Sequence, residues 1–460
     1  MKLQLKDKRV LVLGLGDTGL SALRWLSRQG ARLSVADTRQ APPGLVLLEQ
    51  ELPQVQVHLG PFSEPVFDQA EIIVSSPGVA LTEPQIQNAI KRGIPVVGDI
   101  ELFAQHRPDS AKVIAITGAN GKSTVTTLVG AMCEAAGLTT IVAGNIGLPV
   151  LDALAMPVPD VYVLELSSFQ LETTYSLGAD VATVLNISED HMDRYASMAD
   201  YVAAKVRIFQ GGGIQVLNRE DYYSRNMAIE GRRLVTFGSD LPPTAGDYGM
   251  EEAGGELWLM QGETRLLPLH ELRIAGLHNA CNALAALGLC HAIGIGHAPL
   301  LNALRTFKGL PHRAEWVADI DGVDFYDDSK GTNVGATCAA LAGLRRDGRP
   351  QQAVLIAGGD GKEQDFTPLR DVVAAHARAV VLIGRDAPQI AAALAETGTK
   401  LLTADTLEQA VDAAFAAAVP GDAVLLSPAC ASFDMFRNYV HRAEVFVEAV
   451  QRLAASRRPA

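Results

Sequence analysis

The stretch "AITGANGKSTVTT", which begins at residue 115, contains residue types that bind a nucleotide phosphate. A common phosphate loop has a glycine six positions before its lysine, but here that position is Ile116 and the first glycine is Gly118. The backbone amides of this shortened loop can surround a phosphate, and Lys122 can reach the terminal phosphates. Ser123 or Thr124 can ligate Mg²⁺. An ordinary turn is the alternative, but this loop lies between an apolar strand and a helix, which favours nucleotide binding.

A second glycine-rich loop lies near the start of the chain. Gly14, Gly16 and Gly19 form G-x-G-x-x-G directly after an apolar run, and Asp37 follows at the end of the next run. Such glycines let the backbone approach a diphosphate, and the acidic residue can accept a ribose hydroxyl. A nicotinamide dinucleotide and a UDP-sugar both satisfy this pattern. Glycines needed only for a tight turn are the third possibility.

Two further polar residues follow apolar runs of the middle of the chain. Glu165 ends "VYVLE", and His191 follows "VATVLNIS". Ligands of parallel sheets gather at the carboxyl ends of strands, so Glu165 is placed to hold Mg²⁺ opposite the short loop. A solvated carboxylate is the alternative for Glu165. His191 alone is more often structural, but beside a magnesium site it becomes a candidate metal ligand or substrate contact.

The elements that must position these residues alternate between strands and helices, which predicts an α/β protein with parallel sheets. We expect three domains: residues 1–99 with a Rossmann-like fold, residues 100–310 resembling a P-loop ATPase with a mainly parallel sheet, and residues 311–460 with a second Rossmann-like fold. The predicted strands are "RVLVLGLG", "RLSVADT", "EIIVSS", "IPVVGD", "KVIAIT", "VYVLELS", "VATVLNIS", "VDFYDDS", "AVLIAGG", "AVVLIG" and "AVLLSP".

The clearest predicted helices are "GLSALRWLSRQG", "HNACNALAALGLCHAIG", "RDVVAAHARAV" and "LEQAVDAAFAAAV". A polar, glycine-rich stretch, "SDLPPTAGDYGMEEAGGE", interrupts the middle domain. Alternating runs on either side of it ("GIQVLN", "LVTFG" and "ELWLM") predict a small antiparallel excursion.

The composition excludes several classes of protein. The formal net charge of −13 argues against nucleic acid as the main partner, which needs a basic face. The first ten residues hold no long apolar segment, and no run reaches a membrane span, so we expect neither a secretory signal nor membrane insertion. None of the five cysteines forms a C-x-x-C pair, and we interpret them as reduced thiols of a cytoplasmic protein.

Nine motifs together resemble the Mur ligases of peptidoglycan synthesis, and the resemblance covers essentially the whole chain. They are "GANGKST", "GNIG", "ELSSFQLE", "EDHMDRY", "HNACNALAA", "GLPHR", "DDSKGTN", "GGDGK" and "LSPACASFDMF". The resemblance implies an ATP-dependent ligase that forms an amide through an acyl phosphate. Its implied substrates are UDP-N-acetylmuramoyl-L-alanine, D-glutamate and ATP, and we expect a monomer.

The resemblance also implies which residues bind ATP and metal. The expected catalytic residues are Lys122, Glu165, His191 and Lys205. The expected ATP-binding residues are Gly118, Asn120, Gly121, Lys122, Ser123, Thr124, Asn279, Asn282, Arg313 and Asp328. On local pattern alone, the alternative for Asn279 and Asn282 is helix capping at the surface.

The implied metal site holds two Mg²⁺ ions between Ser123, Thr124, Glu165, His191 and Lys205. Lys205 matches a lysine that the family carbamylates with CO₂. Its helical surroundings alone predict a surface lysine. A carbamate would replace a positive charge by a negative one and offer oxygen ligands, which Mg²⁺ prefers.

Two substrate sites complete the implied assignment. The expected UDP-substrate residues are Leu15, Gly16, Thr18, Asp37, Thr38, Arg39, Ser76, Gly78, Asn145 and Ser167. The expected D-glutamate residues are Lys330, Thr332, Lys362, Ser432 and Tyr439. A hinge near Leu310 to His312 should let the third domain close over ATP.

Three alternatives stay open at this point. Another amide ligase of the same superfamily would use a different amino acid. A nicotinamide-dependent oxidoreductase would explain the first glycine loop but not "GANGKST". A nucleotide switch without ligase chemistry would leave Lys330, Lys362 and Ser432 unexplained.

Overall fold

The computed structural model describes residues 2–274, 276–346 and 349–457. Its strands form three large sheets and one two-stranded ribbon, in the order along the chain that the α/β pattern predicts. The limits of the three domains, near residues 99 and 310, stay a prediction. Within the described residues, no helix is both long and apolar enough to cross a membrane.

The first sheet has five parallel strands in the order β3-β2-β1-β4-β5. The strands are β1 (Arg9–Leu13), β2 (Arg32–Asp37), β3 (Gln56–Leu59), β4 (Ile72–Ser75) and β5 (Val96–Val97). The helices are α1 (Asp17–Arg28), α2 (Leu45–Glu51), α3 (Glu64–Asp68), α4 (Pro84–Lys91) and α5 (Asp99–His106). The strand order reverses between β1 and β4, which opens a crevice at their carboxyl ends.

The second sheet has nine strands in the order β14-β13-β12-β11-β10-β9-β6-β8-β7. The strands are β6 (Lys112–Thr117), β7 (Thr140–Gly144), β8 (Val161–Glu165), β9 (Val181–Val184), β10 (Ile214–Asn218), β11 (Leu234–Phe237), β12 (Tyr248–Ala253), β13 (Glu256–Gln261) and β14 (Thr264–Pro268). The α-helices are α6 (Lys122–Ala135), α7 (Val150–Ala153), α8 (Ser168–Glu172), α9 (Met198–Val206), α10 (Tyr222–Arg225), α11 (Leu277–Ala292) and α12 (His297–Thr306), and single 3₁₀ turns span Arg207–Phe209 and Leu269–Glu271.

The prediction that the runs "GIQVLN", "LVTFG" and "ELWLM" form antiparallel strands is wrong for the first two. Strand β10 pairs in parallel with β9 and with β11, and β11 pairs in parallel with β12. Among these strands, the antiparallel pairs are β12 with β13 and β13 with β14. The connection from β10 to β11 contains α10 and is long enough for a parallel crossover. The glycine-rich stretch itself contains β12, which turns into β13 through Gly254 and Gly255. Both glycines have positive φ, as a tight two-residue hairpin turn requires.

The third sheet has six strands in the order β15-β16-β22-β19-β20-β21, and β17 and β18 form the separate ribbon. The strands are β15 (Glu315–Ile320), β16 (Val323–Asp327), β17 (Arg345–Arg346), β18 (Arg349–Pro350), β19 (Ala353–Gly358), β20 (Ala377–Ile383), β21 (Lys400–Thr403) and β22 (Ala423–Leu426). The helices are α13 (Val334–Gly343), α14 (Leu369–His376), α15 (Ala387–Leu394), α16 (Leu407–Ala417) and α17 (Tyr439–Arg457). The predicted helix "RDVVAAHARAV" is therefore too long, because Ala377 already begins β20.

The first and second sheets share a continuous hydrophobic core. Trp25 of α1, Phe103 of α5 and Tyr162 of β8 belong to one buried cluster, and the Phe103 and Tyr162 rings lie 5.1 Å apart, edge to face. Helix α5 thus fixes the first sheet against the second. The third sheet has its own two clusters.

Candidate active site

The phosphate loop connects β6 to α6 and needs glycine at Gly121. This residue precedes α6 with φ of +83°, and a Cβ there would lie 2.6 Å from Oδ1 of Asn282. A side chain would therefore be strained and would collide with α11. The first turn of α6 has no side-chain cap, so its free N–H groups and positive dipole end can meet an anion.

Two lysines approach the same loop from different helices. Lys122 donates to the carbonyl oxygens of Gly118 at 2.9 Å and Ala119 at 2.8 Å, while Lys205 of α9 donates to Gly118 at 2.9 Å. Lys205 is only 2% exposed, so its interpretation as a surface lysine is wrong. Burial, and secondarily the positive charge of Lys122, holds the pKa of Lys205 well below its usual value.

Glu165 ends β8, next to the strand that feeds the loop. It is 2% exposed, which excludes the solvated carboxylate. Its Oε1 accepts a hydrogen bond from Nδ2 of Asn145 at 2.7 Å, whereas Oε2 is buried and has no hydrogen-bond partner among the described residues. An orphaned buried carboxylate oxygen is costly, and a bound cation would satisfy it. The residues therefore fit a Mg²⁺ ion.

His191 follows β9 and lines the same cavity as Lys122 and Glu165. Its backbone has φ of +59°, and its Nε2 lies 3.6 Å from Oδ2 of Asp190. Burial lowers the pKa of His191, although Asp190 opposes that shift. The neutral imidazole is the form that ligates metal. Asp190 also lies 3.5 Å from Nζ of Lys362, which belongs to the third domain.

The third domain contributes cations and hydroxyls to one cavity of about 820 Å³. Arg313 Nη2 donates to the Ser123 hydroxyl at 3.0 Å, so the two domains are in direct contact across the site. Nζ of Lys330 lies 3.9 Å from the centre of the Tyr439 ring, and burial lowers the pKa of Lys330 to about 8. The predicted residues that line this cavity are Asn120, Gly121, Lys122, Ser123, Asn145, Glu165, Ser167, His191, Lys205, Arg313, Lys330, Thr332, Lys362, Ser432 and Tyr439.

Five predicted residues do not line this cavity: Gly118, Thr124, Asn279, Asn282 and Asp328. Thr124 is 5% exposed within α6, which leaves Ser123 as the hydroxyl that faces the cavity. Asn279 and Asn282 are buried in α11, so their interpretation as surface caps is wrong. Asp328 accepts from the Ser427 hydroxyl at 2.6 Å, and burial raises its pKa to about 7.

A second cavity, of about 730 Å³, lies at the carboxyl ends of the first sheet. The predicted residues that line it are Gly16, Thr18, Asp37, Thr38, Arg39, Ser76, Gly78 and Asn145. Asp37 accepts from Nε and Nη2 of Arg39 at 2.9 and 2.7 Å, and from the Leu15 amide at 2.7 Å. The bonds from Arg39 are the main cause that lowers the pKa of Asp37 to about 2.

Leu15 was expected at this second cavity, but its side chain is fully buried in the core. Only its backbone takes part, through the bond to Asp37. Ser167 lines the first cavity instead of the second, and its hydroxyl caps α8 by accepting from the Gln170 amide at 3.1 Å. The two cavities share Asn145 and Gly147, which lie between β7 and α7.

Sequence reasoning missed several residues of the site. Asp190, Phe169 and His312 all line the larger cavity. Asp190 could have been found, since it stands next to His191 in a polar segment after a predicted strand end. Phe169 and His312 lie within the motifs "ELSSFQLE" and "GLPHR", but residue type alone did not distinguish them from core or hinge residues.

Comparison with known protein families gives three matches along the chain. Residues 8–98 match the N-terminal domain of MurD-like Mur ligases, residues 116–290 the Mur ligase middle domain, and residues 312–430 the glutamate ligase domain of Mur ligases. Together these matches cover most of the chain and each of the three sheets.

Full-length sequence relatives belong to the same family as these domain matches. The chain is 68% identical over 448 residues to UDP-N-acetylmuramoylalanine–D-glutamate ligase of Methylobacillus flagellatus, covering 97% of this chain and 98% of the relative. It is 59% identical to the enzyme of the same name from Thiobacillus denitrificans, covering 99% and 98%.

Solved structures share the fold at low sequence identity. UDP-N-acetylmuramate-alanine ligase of Thermotoga maritima superposes with a TM-score of 0.59 at 20% identity, over 97% of this chain and all of that one. MurF of Acinetobacter baumannii gives 0.59 at 16% identity, over 96% and 93%. From the family matches and the full-length relatives, we conclude that this chain belongs to the Mur ligase family.

Proposed function

We propose that the protein is an ATP-dependent ligase that joins D-glutamate to the alanyl carboxylate of UDP-N-acetylmuramoyl-L-alanine. The observation that carries this proposal is the cavity of about 820 Å³. It brings together the phosphate loop, the buried Glu165 carboxylate, whose Oε2 has no partner among the described residues, and the cations of the third domain. The names of the full-length relatives supply the substrates. The reaction belongs to peptidoglycan precursor synthesis, and we place it in the cytoplasm and in a monomer.

The chemistry has two steps. The substrate carboxylate attacks the γ-phosphorus of ATP, and the bond between that phosphorus and the oxygen bridging to the β-phosphate breaks. ADP departs, and the substrate carboxylate has become an acyl phosphate. The amine of D-glutamate then attacks the acyl carbon and loses a proton, and inorganic phosphate departs as the amide forms. Both steps bring anions together, so positioning and neutralisation of charge provide most of the acceleration.

Lys122 and the loop amides hold the β- and γ-phosphates in this proposal. Glu165 and Ser123 hold Mg²⁺, which neutralises charge on the phosphates when it is bound. His191 and Lys205 would hold a second Mg²⁺ ion. Asn279, Asn282 and Asp328 support the ATP site without lining the larger cavity, and Arg313 contacts it directly.

A carbamate on Lys205 is part of the proposal. CO₂ reacts only with the neutral amine, and burial lowers the pKa of Lys205, which favours that form. The carbamylated lysine would then offer oxygen ligands to a bound Mg²⁺ ion. As an ammonium, the same side chain would repel the ions.

The second cavity takes the UDP end of the substrate. Gly16 lets the diphosphate approach the backbone, and Asp37 accepts the ribose hydroxyl. Asn145 lies on the wall shared with the larger cavity, so the muramoyl and alanyl groups pass over it toward the phosphate loop. Lys330, Thr332, Lys362, Ser432 and Tyr439 bind D-glutamate, whose two carboxylates suit cations and hydroxyls.

The test is release of ADP in the presence of Mg²⁺ and UDP-N-acetylmuramoyl-L-alanine, with and without D-glutamate. We expect sustained release only with D-glutamate, together with a product whose mass is larger by one glutamyl unit. Sustained release with L-alanine or a diamino acid instead would assign a different ligase of the superfamily. Reduction of a nicotinamide without ADP release would overturn ligase function.

A further inference from the structure

The side chain of Arg194 lies between the two cavities and is 15% exposed. Its Nη1 donates to the carbonyl oxygen of Pro77 at 2.9 Å, and its Nη2 donates to that of Val79 at 3.0 Å. Nη2 also lies 3.2 Å from Oε2 of Glu172 in α8. One guanidinium group thus joins the segment between β9 and α9 to the loop that follows β4 in the first domain.

The residues on the two sides of Arg194 line different cavities. The Pro77–Val79 segment follows β4 and lines the smaller cavity. On the other side, the Arg194 guanidinium lies 4.1 Å from the centre of the Phe169 ring, and that ring lies 4.8 Å from the His191 ring. Phe169 and His191 both line the larger cavity. Arg194 itself is absent from the described walls of both cavities, so it can act only through its neighbours.

The chemistry of the contact requires arginine. A guanidinium presents several N–H donors in one rigid plane, so it can bond two carbonyls and a carboxylate while its face stacks on an aromatic ring. A lysine ammonium is a compact point charge that cannot reproduce the planar stack with the same set of bonds. The segment from Glu189 to Tyr195 is therefore held at a fixed distance from the first domain.

We propose that Arg194 is a positioning residue that ties the wall of the UDP-substrate cavity to the segment carrying His191. This inference rests on the proposed function, since it assumes that the two cavities bind two ends of one substrate. When the UDP end binds against Pro77–Val79, the bonded arginine holds His191 and Phe169 in place for the reaction. Binding at one cavity and turnover at the other are then coupled through one side chain.

The test compares Arg194→Lys and Arg194→Ala with the same changes at Arg107. Arg107 also donates to two carbonyl oxygens, those of Ala111 at 3.2 Å and Gly178 at 2.9 Å, and lines neither cavity in the described structure. We expect the Arg194 changes to weaken calorimetric binding of the UDP substrate without ATP by about 10-fold or more, since charge-assisted hydrogen bonds are lost. kcat at saturating substrate should fall as well, while the KM for ATP stays near that of the wild type.

Two further measurements separate positioning from simple loss of structure. Millimolar guanidinium chloride should partly restore turnover of Arg194→Ala, because the free ion can occupy the vacated place between the carbonyls and Phe169. Glu172→Gln should reproduce part of the defect in UDP-substrate binding with an unchanged midpoint of thermal unfolding. If Arg194→Ala does not fold, UDP-substrate binding by Arg194→Lys and Glu172→Gln still tests the positioning role of Arg194.

The outcomes distinguish this inference from the proposed function. If the wild type neither binds the UDP substrate nor releases ADP with D-glutamate, the proposed function itself is wrong. If the wild type does both but Arg194→Lys behaves like Arg107→Lys, only the coupling through Arg194 is wrong. A defect confined to ATP would likewise overturn it.

Discussion

Asn120 of the phosphate loop and Asn333 of the third domain exchange two hydrogen bonds through their side-chain amides. Nδ2 of Asn333 donates to Oδ1 of Asn120 at 3.0 Å, and the reverse bond is 3.2 Å long. Asn333 is also the N-cap of α13, where its Oδ1 accepts from the Ala336 amide. The loop and the start of α13 are therefore joined directly by side-chain hydrogen bonds between two domains.

Replacing Asn333 by serine should favour an open arrangement. Serine keeps the cap of α13 but loses the pair with Asn120, which costs about 1–3 kcal/mol for two neutral hydrogen bonds. We expect a larger radius of gyration in small-angle scattering and raised KM values for ATP and D-glutamate. Asn226→Ser, at an exposed position that lines neither of the two cavities, is the control. An unchanged radius with unchanged KM values would show that this pair does not hold the closed state.

Loss of the Lys205 amine should nearly abolish ligation. We expect Lys205→Ala and Lys205→Arg to lose about 100-fold or more in kcat, since a charged group at the metal site is removed or cannot be carbamylated. Acetate or formate should partly restore Lys205→Ala, but not Lys205→Arg, by standing in for the carbamate. Unchanged activity of Lys205→Ala, or a bare ammonium in an electron-density map of the metal-loaded enzyme, would refute the carbamate.

Gly16→Ala tests the smaller cavity without disturbing the fold. No described atom lies within 4 Å of the Cβ position of Gly16, and its φ of −96° suits any residue. The new methyl group therefore points into free space, where only a ligand would meet it. We expect a KM for the UDP substrate raised by about 10-fold and a nearly unchanged KM for ATP. Gly212→Ala, which also meets open space, is the matched control. An effect on ATP alone would mean that the two nucleotide sites are interchanged.

Removal of the Lys362 cation should weaken use of D-glutamate. Lys362 lies in the larger cavity, 3.5 Å from Asp190, and belongs to the third domain. We expect Lys362→Ala to raise the KM for D-glutamate by about 10- to 100-fold, as when a charge-assisted bond is lost, and Lys330→Ala and Ser432→Ala to act in the same direction. Lys400→Ala, an exposed change in the same domain, should behave as the wild type. Loss of UDP-substrate binding in folded Lys362→Ala would contradict the assignment of the cavities.

Asp99 should make the stability of the protein depend on pH. This carboxyl is 3% exposed, its Oδ2 accepts from Gln170 at 3.1 Å, and burial raises its pKa to about 6. Because the folded-state pKa lies above the unfolded value, its contribution to stability is complete below pH 4 and is lost as the pH rises through about 6. The loss is at most about 3 kcal/mol.

Asp99→Asn cannot ionise and should escape this loss. We expect its midpoint of thermal unfolding, relative to the wild type, to rise between pH 4 and pH 7 and then to level off. Asp405→Asn, at an exposed position, should show no such trend. A difference between Asp99→Asn and the wild type that is constant with pH would place the Asp99 pKa at its ordinary value.

The central strands of each sheet could be predicted from the sequence because they are buried on both faces. Strands such as β4, β8 and β9 are mostly apolar, and every residue in them is buried. Among the missed strands of the three large sheets, β12 lies between β11 and β13, whereas β3, β7, β14, β15 and β21 lie at the edge of a sheet. The residues of these edge strands are partly exposed, so their hydrophobic pattern is weak and resembles that of a loop.

The candidate site could be predicted where a residue follows a strand end in a recognisable motif. Lys122, Glu165 and His191 follow neighbouring strands of one sheet, and the structure brings them to one cavity. Residues whose role depends on packing between distant segments could not be found in this way. Local pattern placed Lys205 at the surface and gave Arg194 no role, because the carbonyls that receive them lie 87 and more than 100 positions away.

Under the proposed function, the wall that the two cavities share at Asn145 and Gly147 fixes the distance between the sites for the two ends of the substrate. If the nucleotide end is held at Gly16 and Asp37, the carboxylate that reaches the phosphate loop is selected by its distance along the molecule. The carboxylate of a precursor without the alanyl residue would not reach the phosphate loop, and that of a precursor with a longer peptide would lie beyond it. The order in which amino acids enter the growing peptide is then set by length as well as by recognition of each side chain.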